Sequence, residues 1–207
     1  MTAEMSTDTF IPSAGEQALV LPGRYDWGHL KSLQTWVEDT PGLKITYLDG
    51  CIELMTTGKP HERIKKLIAI LLEAYCFELG MRFFPSGNAT CEAEEKGASF
   101  NPDESYCFET DKDYPDLGIE IVFTSGGINK LEKHRRFKVP EVWFWQNDQL
   151  SVYILTDTVE GVPQYVIADH SQWFPNLDLT LFSSCVAIED AYEARSQFLA
   201  ALKPDSK

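Results

Sequence analysis

From Trp27 onward the apolar positions fall into runs of distinct period. Trp27, Leu30, Leu33 and Trp36/Val37 recur at helical spacing behind Asp26, whose side chain suits a helix cap, and predict a first helix. The stretch ITYLDGCIELM places two short apolar runs around Asp49-Gly50, a dipeptide that accepts the positive φ angles of a two-residue turn; a hairpin is predicted over 44–55. Beyond Gly58 and Pro60, Ile64, Leu67, Ile68, Leu71, Tyr75 and Leu79 share one face of a long helix, with Gly80 placed for a left-handed cap. Strand-like runs follow at 81–84, 89–94, 104–108 and 117–123, broken by Pro-Ser-Gly-Asn, Asn-Pro-Asp and the polar ETDKDYPD. A helix is predicted over 127–138, then a hairpin around Asn147-Asp148 and a strand in PQYVIAD. A closing helix over 187–202 would put Ile188, Ala191, Tyr192, Phe198, Leu199 and Leu202 on one face.

This order implies an α/β chain with a central mixed sheet flanked by helices. Residues 1–22 mix Ser, Thr, Pro and small side chains without a period and predict a flexible N-terminal arm, leaving 23–203 as a single domain. Composition alters this picture little: 43% hydrophobic and 24% charged residues are ordinary globular usage for 207 residues. No apolar run is long enough to span a membrane and no secretion leader opens the chain, so a cytoplasmic protein is expected. Five cysteines without a C-x-x-C pair argue against a disulfide framework or a structural zinc site, and predict reduced core residues.

Charge changes the picture more. A net charge of −14 opposes phosphate binding, which draws on Lys and Arg. The distribution is uneven, however: residues 92–120 hold ten acids against two lysines, whereas 130–138 hold five bases against Glu132. A basic face beside an acidic pocket is one consequence; a solvated acidic surface is the other.

Within that acidic stretch, Glu120 interrupts the apolar run LGIEIVF. On a strand, Ile119, Ile121 and Phe123 face one side while Glu120 and Val122 face the other. If both faces are covered, Glu120 lies in a cleft and needs a cation or a metal beside it; if one face is bare, it merely meets water. Asp103 follows the stiffening Pro102 at the mouth of a strand, Glu53 sits between Ile52 and Leu54, and Lys130 heads the basic helix after TSGG, which allows a tight reversal back toward the carboxylates. Two carboxylates and an amine are the minimum apparatus for metal-assisted phosphodiester hydrolysis, with oxygen donors suited to a hard cation.

The series YLDGCIELM, a histidine (His61) opening a helix, Pro102-Asp103, and PDLGIEIVFTSGGINKLEKHRRFKVPEVWFW resembles the Uma family of restriction endonucleases, a branch of the PD-(D/E)XK nuclease superfamily. The likeness runs from about Arg24 into the 150s and is most specific between Pro115 and Trp145. It implies a restriction-endonuclease-like fold, DNA as substrate, and a magnesium or manganese ion held by Asp103 and Glu120. By position, Lys130 is the lysine moved onto the following helix, since Val122 stands where E-x-K has its lysine. Lys133 is the competitor if the helix starts later, His134 stands where relatives often have Tyr, and Glu53 is an outer acid. Arg135, Arg136 and Lys138 would hold a phosphate backbone or simply close a helix; Trp143 and Trp145 would stack on bases or pack in a core. The expected activity is a magnesium-dependent endonuclease, with a homodimer suited to cutting both strands. The alternative is a non-catalytic nuclease-like scaffold acting as a homo-oligomeric binding or regulatory protein.

Overall fold

The computed structural model describes residues 17–123, 128–158 and 161–202. Asp26 caps helix α1 (Trp27–Val37) by accepting from the His29 backbone N–H, and strands β2 (Leu43–Leu48) and β3 (Cys51–Thr56) form the expected hairpin, with Asp49 and Gly50 both at positive φ. An antiparallel sheet of five strands grows from this hairpin, in the order β1-β3-β2-β6-β5, where β1 is Gln17–Val20, β5 Cys91–Ala93 and β6 Ala98–Phe100. Two of these strands depart from the sequence expectation. Gln17–Val20, assigned to the arm, pairs with β3 along its whole length, and Ala98–Phe100 is too short to show a period.

A second, mixed sheet of six strands runs β11-β10-β9-β8-β7-β4. Its strands are β4 (Phe83–Pro85), β7 (Glu104–Phe108), β8 (Leu117–Ile121), β9 (Glu141–Gln146), β10 (Gln149–Thr156) and β11 (Gln164–Ala168). The β8–β9 pair is parallel and its crossover carries helix α3 (Lys130–Arg136), shorter than the predicted 127–138. Thr124 to Gly127, expected as a tight reversal, lie outside the described residues.

Helix α2 (Lys59–Leu79) lays Leu67, Ile68, Leu71, Leu72 and Tyr75 on one face of the mixed sheet, against Ile119, Ile121, Trp143 and Trp145. Each fully buried aliphatic side chain there contributes about 1.5–3 kcal/mol. Trp143 and Trp145 are therefore core residues. Gly80 ends α2 with φ 63°, the left-handed cap its sequence position implied. The predicted closing helix over 187–202 is α5 (Ala191–Leu202), and a further helix, α4 (Leu179–Val186), capped by Asp178, precedes it. Tyr192 in α5 points outward, 82% exposed, rather than onto the buried face. The opposite face of the mixed sheet meets a smaller cluster around Phe100, Phe137, Val139 and Val142. The five cysteines are free and four of them buried. Among the described residues no helix is long and apolar enough to cross a membrane.

Candidate active site

Alternation along two strands aims the polar side chains at one another. In the β2–β3 hairpin, Ile45, Tyr47, Ile52 and Leu54 pack against α1. Lys44, Thr46 and Glu53 therefore take the other face, with Thr46 directly opposite Glu53. In β8, Leu117, Ile119 and Ile121 enter the α2 core, which turns Gly118 and Glu120 toward α3. Both faces of β8 are covered, so Glu120 is only 1% exposed.

Helix α3 supplies the cations. Asn129 caps it by accepting from the Glu132 N–H, making Lys130 its first residue. Residues three and four apart share a helix face, so Lys130, Lys133 and His134 point together at Glu120. Lys130 Nζ lies 3.0 Å from Glu120 Oε2, while Lys133 Nζ and His134 Nε2 lie 3.2 and 2.7 Å from Oε1. Burial opposes ionisation of Glu120, but Lys130, Lys133 and His134 overcome it and hold the carboxyl well below its usual range. Lys133 and His134 are themselves pulled down by burial, against the pull of Glu120. Lys133 also sits 4.6 Å above the Phe100 ring. A neutral His134 donating through Nε2 leaves Nδ1 as a bare acceptor, and among the described residues Nδ1 has no hydrogen-bond partner. Lys130 and Lys133 both reach the carboxylate, each at a different oxygen.

Asp103 comes to the same place from the entry of β7. Its backbone N–H donates to Ile119 O and its Oδ2 accepts from the Ile121 N–H at 2.7 Å, which ties it to the strand carrying Glu120. Lys44, which nothing in the sequence pattern singles out, pairs with Oδ1. His61, in the first turn of α2 and 1% exposed, brings Nε2 to 3.2 Å from Oδ2 without the alignment of a directed hydrogen bond. Burial opposes ionisation here too, but the His61 contact and the Lys44 ammonium outweigh it and hold Asp103 at about 2. Glu53 is buried beside these groups. Burial raises its carboxyl, while Lys133, Lys130 and the Ile128 backbone N–H pull it down.

Three carboxyl groups, Glu53, Asp103 and Glu120, therefore share one pocket with the ammonium groups of Lys44, Lys130 and Lys133. Oxygen-only donors match a hard divalent cation in kind. Among the described residues no three His, Cys, Asp or Glu side chains gather into a metal cage. A magnesium ion needs no such cage, because it typically binds one or two carboxylates and keeps several waters.

Of the remaining basic candidates, Lys138 is exposed and the two arginines are occupied. Arg135 and Arg136 both bind Glu132 at 2.6 Å, and Arg136 also pairs with Asp49 at 2.5 Å and donates to Lys96 O. Arg136 thereby fastens α3 to the turn of the β2–β3 hairpin, whereas Arg135 is held within its own helix.

Gly118 is the floor on which His134 rests. A Cβ there would lie 2.6 Å from His134 Cε1 and 2.9 Å from Nδ1. Gly118→Ala is expected to push the ring off Glu120, costing about 1–3 kcal/mol as an overpacked core substitution. An unchanged urea midpoint would show that the ring moves freely and does not pin Glu120.

No curated protein matches the chain. A family model described as "Uma2: Putative restriction endonuclease" matches residues 29–184, a span that holds Lys44, Glu53, Asp103, Glu120 and the whole of α3, and so the chain belongs to the Uma2 family.

Proposed function

We propose that the chain is a magnesium-dependent endonuclease that hydrolyses phosphodiester bonds in DNA, with Asp103 and Glu120 holding the ion. The observation that carries this is the approach of Lys130 to 3.0 Å from a fully buried Glu120, beside an Asp103 tied to the same strand. Magnesium or manganese bound there would activate a water and offset the charge of the pentavalent transition state. Lys130, 19% exposed at its side chain and so at the edge of the pocket, orients the attacking water. Lys133 and His134 grip the opposite oxygen of Glu120 and fix its rotamer, a positioning role. Glu53 acts as an outer acid, its proton affinity raised by burial.

One observation favours the competing non-catalytic scaffold. The three ammonium groups already offset the charge of the three carboxyls, as they would in a site that needs no metal. Titration calorimetry with manganese separates the two. An endonuclease binds the ion, loses that binding in Asp103→Asn, and nicks supercoiled plasmid until EDTA is added. Nicking that continues undiminished in both Asp103→Asn and Glu120→Gln would refute the assignment.

A further inference from the structure

The alternation of β8 continues past its end in an unexpected way. Ile119 and Ile121 are fully buried, yet Phe123, next on the same face, is 49% exposed. Its ring centroid lies 6.2 Å from that of His61, at an interplanar angle of 49°. His61 in turn contacts Asp103. Phe123 thus packs partly on a buried imidazole that touches the acid of the site, and presents the rest of its ring to water at the pocket's rim. An isolated exposed apolar side chain needs no explanation; an aromatic ring next to the reacting groups of a nuclease offers a stacking surface for a base.

A second observation bears on what stacks there. Backbone binding to duplex DNA relies on cations free to neutralise phosphates. In this chain, of net charge −14, the basic side chains near the pocket are held by its own acids: Lys44 by Asp103, Lys133 by Glu120, Arg135 and Arg136 by Glu132. Farther out, Arg63 binds Glu189 and Lys65 binds Glu62. Lys59, Lys66 and Lys138 are exposed and outside these pairs, so phosphate affinity is reduced rather than abolished, and base stacking supplies a larger share of the binding. A ring can stack on a base only where that base is not already enclosed in a duplex.

We propose that Phe123 is a substrate-binding residue that stacks on an unpaired base beside the scissile phosphate, and that the preferred substrate is single-stranded or locally unpaired DNA. This inference rests on the nuclease proposal. It is tested by fluorescence anisotropy with a labelled oligo-dT strand and a duplex of equal length, with calcium replacing magnesium to prevent cutting. The strand is expected to bind at least about tenfold more tightly than the duplex, and Phe123→Ala to lose about tenfold for the strand alone. Phe123→Trp is expected to restore that affinity and Phe123→Leu to fail, since bulk without a π face cannot stack; the melting temperature should hold across all three. Equal strand affinity in Phe123→Ala and the parent, or a duplex bound as tightly as the strand, would overturn the inference. Loss of manganese binding and nicking in Asp103→Asn is independent of that outcome, so either proposal can fail alone.

Discussion

Glu120→Ala is expected to lose cleavage and much of the chain's stability together. Cleavage should fall by at least a hundred- to a thousandfold, roughly the loss from removing one preorganised electrostatic group in an active site. Stability should fall because three groups on α3 converge on this carboxylate, two of them fully buried. Without it Lys133 is a buried cation and His134 a buried donor, each lacking its partner in the site. Breaking a buried pair from one side costs about 3–5 kcal/mol, a large part of the 5–15 kcal/mol typical of a folded protein. Glu120→Gln keeps the shape and an acceptor for His134, so it should lose cleavage as fully but stability less. The double substitution Glu120→Ala with Lys133→Met removes both the acid and a cation; it is expected to regain at least about 1 kcal/mol over the single variant and no cleavage. Urea denaturation and plasmid nicking on the four proteins check this. A Glu120→Ala midpoint equal to the parent's would mean that the α3 cations do not depend on this acid.

The pocket was legible in the sequence where its residues interrupt a pattern. Glu120 and Glu53 are charges inside apolar runs, and alternation alone placed Glu120 opposite Ile119 and Ile121. Lys130 stands out as the first base of a basic helix that follows the Glu120 strand, but its approach to Glu120 depends on a crossover whose middle residues are not among those described. Lys44 left no such signal. It sits in a hairpin arm where a lysine looks like a solvated side chain, and only the packing of one sheet's polar face against the edge of β7 brings it to Asp103. His134 was noticed as a departure from the usual Tyr, yet its contact with Glu120 needs Gly118 to leave room across the strand, a requirement between residues far apart in the chain. For Arg135 and Arg136 the sequence leaves phosphate binding and a plain helix end both open, and only the partners Glu132 and Asp49 favour the second. The same contrast holds for the elements. Long periodic segments such as α2 were predictable, whereas β1 and β6 are strands of four and three residues set by the hairpin they join. The stretch LTLFSSCV, rich in residues of modest helix propensity, was overlooked as α4.

Acidification is expected to act on stability through opposing contributions from pH 7 to about 4.5 and then to lower it steeply. His134 folds with its proton affinity reduced from the ordinary value of 6.5, so the unfolded chain takes up a proton there first and the native state loses ground as pH falls below that value. Burial raises Glu53, Glu104 and Glu141 above their ordinary 4.5, so the native chain takes up protons first at these sites and regains stability over the same interval. Below 4.5 this opposition ends. Asp103 is held at about 2 against an ordinary 3.8, and Glu120 well below 4.5; both contributions are complete above the ordinary values and are lost as pH falls through the folded ones. Asp103 alone accounts for about 2 kcal/mol by proton linkage, lost mostly between pH 4 and about 2. Urea midpoints at pH 7, 5 and 3 should therefore show their large fall between pH 5 and 3. Asp103→Asn, which cannot titrate, should start lower at pH 7 and fall less between pH 5 and 3. A parent protein that stays equally stable at pH 3 would mean that Lys44, Lys130 and Lys133 do not hold these carboxylates in their charged form.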